Sequence, residues 1–183
     1  MPFSISDDES KWVKKLKSDD PDALEFLFKK HCQPLLNFSQ RIVYETETAE
    51  NIVQDVFLKV WENRKSLKLG TSIKSYLFTI TRNESLKYQR HQTVVREFEE
   101  TVRDLHSSVE TPDEQLIESE LESYIHKAID LLPEKRREIF MMNRFDELTY
   151  KEIAEVLNIS LKTVETQMGR ALKRLREILS FLK

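Results

Sequence analysis

Residues Thr149–Leu175 restrict the possible folds of this chain more than any other segment, because they have the pattern of two short helices joined by a tight turn. Thr149 and Glu152 form a capping-box pattern, in which each side chain satisfies a free backbone N–H at the other residue. Asn158 tolerates the left-handed backbone conformation that a sharp turn needs. Ser160 is a favourable N-cap for the second helix. Together, at these spacings, these residues predict a helix-turn-helix.

The second of these helices is predicted to have one buried and one polar face. Apolar residues recur every three or four positions, which predicts a buried stripe of Leu161, Val164, Met168, Leu172, Leu175 and Leu179. The opposite face and its flank are polar and basic, and the candidate DNA-contacting residues there are Lys162, Thr163, Thr166, Gln167, Arg170 and Lys173. Such a helix suits the major groove of duplex DNA. The alternative is an ordinary amphipathic helix pair with a solvated outer face.

Composition favours an all-α protein. The chain has only two glycines and five prolines, and it has no β-branched runs separated by turn signals. Two glycines are too few for a phosphate-cradling loop, so no nucleotide or other cofactor is predicted. No apolar run reaches the roughly 20 residues of a membrane span, and no signal peptide is visible, so no membrane insertion is predicted. The single cysteine, Cys32, excludes a disulfide within the chain and favours the cytoplasm.

Charge is segregated along the chain despite a net charge of only −3. Residues 63–96 carry eight bases and one acid, whereas residues 97–122 carry ten acids and one base. Residues 123–183 carry twelve bases and nine acids. An acidic block therefore separates two basic blocks, each of which suits binding to nucleic-acid phosphates.

Helical spacing divides the first half of the chain into three predicted helices. Asp20 and Pro21 start the first, which Pro34 is expected to kink or break. A second helix is predicted from about Thr48 to Arg64, and a third from about Ile73 into the low nineties. Residues 93–108 have no clean period and are predicted to be linker.

The second half is predicted to form a four-helix domain. A helix is expected from Thr111 to about Leu131, and another from Pro133 to about Phe145, before the helix-turn-helix. The chain is thus predicted to be two small helical domains, residues 1–95 and 112–183, joined by an acidic linker at residues 96–111.

Basic and aromatic residues alternate in the third helix, where Lys74, Arg82, Lys87 and Arg90 accompany Tyr76, Phe78 and Tyr88. Basic grooves follow phosphates, and exposed aromatic rings stack on unpaired bases. This segment is therefore a candidate binder of single-stranded DNA. The alternative is that the aromatic rings belong to the core.

The predicted helix at residues 48–64 combines Gln54, Asp55, Leu58 and Trp61 within two turns. Polar groups beside a large aromatic are typical of a protein interface. The alternative is that Trp61 only fills the core of the domain.

Three segments resemble the extracytoplasmic-function (ECF) group of bacterial RNA polymerase sigma factors. AENIVQDVFLKVWENR resembles region 2.2, and IKSYLFTITRNESLKYQR resembles regions 2.3 and 2.4. LLPEKRREIFMMNRFDELTYKEIAEVLNISLKTVETQMGRALKRLRE resembles region 4. The resemblance extends over about Asp22–Leu179, with the motifs in the family's order and spacing.

The resemblance implies a transcription initiation factor that directs core RNA polymerase to promoters, assists promoter melting and has no catalytic residues. Gln54, Asp55 and Trp61 would meet the core polymerase, whose clamp helices and flap are the implied contacts, and the loop at residues 66–72 would hold a flipped base. The implied minus-ten residues are Lys74, Arg82, Asn83, Lys87, Tyr88 and Arg90. The six residues named above on the second helix of the helix-turn-helix would read the minus-thirty-five element. Promoter DNA and an anti-sigma factor are the other implied partners.

Two departures from the family pattern bear on promoter sequence. Glu165 stands where the family often has Lys, and Gln167 stands where it often has Arg. A carboxylate weakens attraction to phosphate but can accept a hydrogen bond from a cytosine amino group. The minus-thirty-five element is therefore expected to differ from the commonest one.

Two other classes of protein remain as alternatives. A response-regulator-type transcription regulator has a similar terminal helix-turn-helix, but it needs an alternating β/α receiver domain, and the upstream sequence lacks strand patterning. An enzyme needs converging acid, base or metal-binding groups. The four histidines are scattered without ligand spacing, so neither enzymatic activity nor a metal site is predicted.

Overall fold

The structure, a computed structural model, describes residues 7–67, 72–102 and 120–180, and all regular structure in these ranges is helical. The α-helices are α1 (Asp7–Lys17), α2 (Pro21–Val43), α3 (Thr46–Glu62), α4 (Ile73–Val102), α5 (Glu120–Asp130), α6 (Glu134–Arg144), α7 (Tyr150–Leu157) and α8 (Leu161–Ser180). A short 3-10 helix, Arg64–Ser66, follows α3. The all-α fold predicted from composition is confirmed.

The helices group into two compact units. α1 to α3 and most of α4 supply the first, which extends to Arg96. The second begins at Glu97 within α4 and contains α5, α6, α8 and most of α7. Two small helical domains were predicted, and the architecture agrees. The exact domain limits given above, at residues 95 and 112, stay predictions.

Helix α2 begins where the sequence predicted but continues through its proline. The Asp20 carboxylate accepts a hydrogen bond from the Asp22 backbone N–H at 3.0 Å, and Pro21 opens the helix. Pro34 was expected to kink or break this helix, and a break is ruled out, since α2 runs unbroken to Val43. Leu27 and Leu35, on either side of Pro34, are fully buried. Burial of this apolar stripe offsets the proline's cost of about 3 kcal/mol.

Helix α4 is longer than predicted. It continues to Val102, so residues 93–102 are helical, and the expectation of no regular structure in this part is wrong. The limits of the linker between the two domains stay a prediction. Val95, Phe98 and Val102 recur at helical spacing, and the Arg and Glu residues between them have high helix propensity, so the existing helix can propagate through this segment. Residues 103–108 and the predicted helix start at Thr111 lie outside the described residues.

The core of the first unit lies between α2, α3 and α4. Phe38 and Phe78 meet edge to face, with ring centroids 5.1 Å apart. Beside them, the Ser39 and Ser85 hydroxyls form a buried hydrogen bond of 2.9 Å between α2 and α4. Phe78 is therefore a core residue and is not available for base stacking. Packing fixes the face that α4 turns outward.

The core of the second unit places one face of α8 against α5 and α6. Its buried residues are Ala128, Ile129, Leu132, Phe140, Met168, Ala171 and Leu175. Val164 is also fully buried, whereas Leu172 and Leu179 are partly buried. The prediction of a buried Leu161 is wrong, because its side chain is 47% exposed at the first position of α8, where the helix has not yet reached the core.

Candidate nucleic-acid and polymerase interfaces

The helix-turn-helix forms through the local contacts that its sequence predicted. The Thr149 backbone N–H donates to the Glu152 carboxylate at 2.9 Å, and the Glu152 N–H donates to the Thr149 hydroxyl at 3.2 Å. Asn158 has a φ of 51°, in the left-handed region. The Thr163 N–H donates to the Ser160 hydroxyl at 3.1 Å. Capping and turn chemistry thus fix where α8 starts and which face it exposes.

Five of the six predicted minus-thirty-five residues are exposed on α8, namely Lys162, Thr163, Thr166, Arg170 and Lys173. The Thr166 hydroxyl donates to the Lys162 carbonyl oxygen at 2.8 Å, which holds this side chain close to the helix. Its methyl group and the oxygen lone pairs remain for a ligand. This face offers cationic groups and short hydroxyl side chains on one rigid helix.

Gln167, the sixth predicted residue, is half-buried at the flank of this face. Its side-chain oxygen accepts a hydrogen bond from Arg136 Nε of α6 at 3.2 Å. The amide therefore joins α8 to α6 and has its N–H groups left for a ligand. Sequence reasoning missed Arg136, since nothing in the local pattern links positions this far apart.

Three of the predicted minus-ten residues share one exposed face of α4. Asn83, Lys87 and Arg90 are all exposed, and their i, i+4, i+7 spacing places them in one row. The buried Ser85 and Phe78 lie on the opposite side of the helix. The row carries two positive charges and one amide.

The other three predicted minus-ten residues lie away from this row. Lys74 and Arg82 are half-buried and take part in interactions within the protein. The Tyr88 hydroxyl donates to the Glu45 carboxylate at 3.2 Å and lies 3.4 Å from the Thr48 hydroxyl. These contacts attach α4 to the start of α3, so the geometry gives Tyr88 a supporting position.

The predicted polymerase-binding residues occur on α3. Gln54 and Asp55 are exposed. Leu58, which lies between them and Trp61 on the same helix, is 60% exposed. Trp61 is half-buried, and the Arg64 guanidinium lies 4.2 Å above its ring centroid. An exposed leucine among polar groups is a feature of protein-binding surfaces.

Arg64 is held by a contact that sequence reasoning did not find. The Asp19 carboxylate accepts a hydrogen bond from Arg64 Nε at 2.5 Å, and its other oxygen lies 3.5 Å from Lys65 Nζ. Beside it, Lys17 Nζ donates to the Leu67 carbonyl oxygen at 2.6 Å. The hydrogen bond from Arg64, more than any other contact, holds the pKa of Asp19 below its ordinary value. The turn after α1 is thereby attached to the end of α3.

The ranges that the structure describes contain no cluster of metal-binding side chains. Within them, no group of three or more His, Cys, Asp or Glu side chains could hold a metal ion. Burial, followed by the nearby Glu50 carboxylate, raises the pKa of the Cys32 thiol, which disfavours the reactive thiolate. No described helix is both long and apolar enough to cross a membrane.

A helix-turn-helix and a second helix with an exposed basic row are features of a helical DNA-binding protein. The chain matches the family models of sigma-70 region 2, over residues 27–94, and sigma-70 region 4, over residues 122–175. The two matches together cover two-thirds of the chain. The chain therefore belongs to the sigma-70 family, and within it to the ECF sigma factors, which are transcription initiation factors.

Similar proteins agree with this placement along nearly the whole chain. RNA polymerase sigma factor YlaC of Bacillus subtilis is 27% identical over 159 residues, which cover 85% of this chain and 91% of YlaC. ECF sigma factor SigW of the same species is 25% identical over 176 residues, which cover 91% of this chain and 94% of SigW. RpoE of Bartonella quintana, solved in complex with the anti-sigma factor NepR, has a TM-score of 0.58 and 25% identity, with coverage of 85% of this chain and 98% of RpoE.

Proposed function

We propose that the chain directs core RNA polymerase to promoters through three separate surfaces. The α8 face, consisting of Lys162, Thr163, Thr166, Arg170 and Lys173, reads the minus-thirty-five duplex. The α4 row, consisting of Asn83, Lys87 and Arg90, contacts the melted minus-ten element. The α3 face, consisting of Gln54, Asp55, Leu58 and Trp61, binds the core enzyme.

The exposed α8 face is the observation that carries this proposal. Its opposite side is locked into the core by Val164, Met168 and Ala171, so the helix presents a fixed row of side chains to a ligand. Arg170 is exposed and makes no hydrogen bond or ion pair with the described part of the chain. A guanidinium placed in this way can donate two hydrogen bonds to guanine in the major groove.

The remaining site residues take supporting positions in the proposal. Lys74 and Arg82 add positive charge to α4 away from the α4 row, while Tyr88 holds α4 against α3. Gln167 contacts the duplex from the flank of α8 through its N–H groups. The loop at residues 66–72, whose positions 68–71 lie outside the described residues, would receive a flipped base.

Regulation by a second protein is part of the proposal. RpoE of Bartonella quintana is bound by an anti-sigma factor, and its likeness to this chain extends over most of both proteins. We expect an anti-sigma factor to bind this chain and to prevent its association with core polymerase. We also propose that the chain acts in the bacterial cytoplasm, where polymerase works, and contributes binding energy without catalytic chemistry of its own.

Run-off transcription with core polymerase on a promoter library tests the proposal. Reactions with the chain should yield transcripts from a small set of promoters, and reactions without it should not. The Arg170→Ala variant should lose most of these transcripts while it still co-purifies with core polymerase. If no promoter responds to the wild-type chain, the proposed function is wrong.

A further inference from the structure

Gly169 lies on the exposed face of α8, within the row of side chains proposed to contact DNA. Positions 162, 166, 169 and 173 recur every three or four residues and therefore share one side of the helix. Thr166 and Lys173, its neighbours in the row, are both exposed. The chain has only two glycines, and one of them occupies the middle of this row.

Packing in the described part of the chain does not require glycine at this position. Apart from its chain neighbours and the backbone of its own helix, a Cβ built on Gly169 would meet no atom within 4 Å, and the residue lies inside a regular helix. Glycine within a helix costs more conformational entropy than alanine, so Gly169 weakens α8. The protein thus has a destabilising residue on α8, and the described residues offer no contact there that compensates for it.

The residues around Gly169 indicate what approaches it. The Thr166 hydroxyl is bonded back to the Lys162 carbonyl oxygen, so a group that touches Thr166 has to come close to the helix backbone. Glu165, one turn before Gly169, is exposed, and its carboxylate repels a phosphate. Lys162 and Lys173, at the two ends of the row, suit the phosphates of DNA, whereas an uncharged base edge fits the uncharged surface at Gly169 between them.

We propose that Gly169 is the point of closest approach between α8 and the promoter duplex, where base edges in the major groove pack against its Cα. This inference rests on the proposed function of α8. A Cβ would project about 1.5 Å from Cα and would hold the helix away from the bases. Gly169 is therefore a positioning residue that sets the depth at which Thr166 and Arg170 reach the bases.

Substitutions at Gly169 separate stability from DNA binding. We expect Gly169→Ala to raise the melting temperature of the chain and to lower holoenzyme affinity for a library-selected promoter duplex by about tenfold, as for the loss of one good base contact. Gly169→Leu should weaken binding further. Ser180→Leu is the matched control, because it adds similar bulk to the same row about 16 Å along the helix. It should leave affinity unchanged.

The outcomes distinguish this inference from the proposed function. Equal or tighter promoter binding by Gly169→Ala would overturn the close approach, and so would an equal loss in Ser180→Leu. Tighter binding by Gly169→Leu than by Gly169→Ala would also overturn it, because the larger side chain would then fill a gap. If wild-type chain and core polymerase transcribe no promoter, the proposed function itself fails.

Discussion

Asp19 joins the turn after α1 to the end of α3 through an ion pair with Arg64. It has a φ of 65°, a left-handed conformation that is unfavourable for most side chains but tolerated by Asp and Asn. From this position its carboxylate reaches Arg64, which also donates to the Trp61 carbonyl oxygen at 2.6 Å. A strained turn residue and a proposed polymerase-contact residue are thus linked through one guanidinium.

The Asp19 contact predicts a pH dependence of stability. Because the pKa of Asp19 is lowered in the folded protein, its ion pair contributes fully above the ordinary value of 3.8 and is lost as pH falls through the lower folded value. Asp19→Asn keeps the left-handed turn and removes the charge. Urea unfolding should give the variant a lower free energy of unfolding than wild type at pH 6. This difference in free energy should shrink as the pH falls toward 2. A gap that is the same at both pH values would contradict an electrostatic role.

Arg170 is the residue whose loss should change sequence preference most clearly. Arg170→Ala should lower affinity for the minus-thirty-five duplex by about 1–3 kcal/mol and relax discrimination at one base pair. Binding to duplexes with single base-pair changes measures both effects. Arg176→Ala, an exposed charge-matched control on the same helix, should weaken all duplexes equally. An Arg170→Ala loss that is also equal for all sequences would mean that Arg170 contacts phosphate.

At the scale of helices, the sequence alone predicted those helix starts that depend on contacts between residues close together in the chain. Asp20 with Pro21, and Thr149 with Glu152, make contacts within a few residues, so their patterns identify helix starts directly. Helix α1 was not predicted, because its buried Val13 and Leu16 depend on packing against α2. The same limit applies to the site. Exposed rows follow from helical spacing, whereas the Arg136 and Gln167 contact depends on tertiary structure.

Helix α2 offers a test of how packing overrides a local signal. Pro34→Ala restores a backbone N–H in the middle of a continuous helix, and we expect the free energy of unfolding to rise by about 1–3 kcal/mol. Urea denaturation of both proteins measures this difference. The half-buried ring is the competing factor, since its loss removes apolar contacts. A less stable variant would show that ring packing outweighs the missing hydrogen bond.

The exposed side of α3 offers a test of polymerase binding that leaves the core intact. Leu58→Ala should reduce co-purification with core polymerase, because truncating an apolar side chain at the centre of a protein interface costs about 1 kcal/mol or more. Its melting temperature should stay near that of wild type, since the side chain is 60% exposed in the free protein. Leu131→Ala, just after α5 in the second unit, is the matched control, because Leu131 is 63% exposed. Full polymerase binding by Leu58→Ala would place the interface elsewhere.

At the scale of the whole molecule, the residues proposed to contact DNA are divided between two compact units. The α4 row belongs to the first unit and the α8 face to the second. The charge pattern along the sequence predicts this separation, since an acidic block lies between the two basic blocks. Duplex binding and strand opening are consequently expected to depend on different units, so single substitutions should affect them separately.

This division predicts different defects for two variants, one in each unit. Arg170→Ala should weaken binding to upstream duplex, whereas Asn83→Ala should leave duplex binding intact and reduce permanganate reactivity of thymines in the minus-ten region. Asn83 is suited to unpaired bases because its exposed amide can donate and accept hydrogen bonds on base edges that melting uncovers. Holoenzyme binding to duplex, measured beside permanganate footprinting on the same promoter, separates the two steps. Identical defects in both variants would show that duplex reading and melting are not divided between the units.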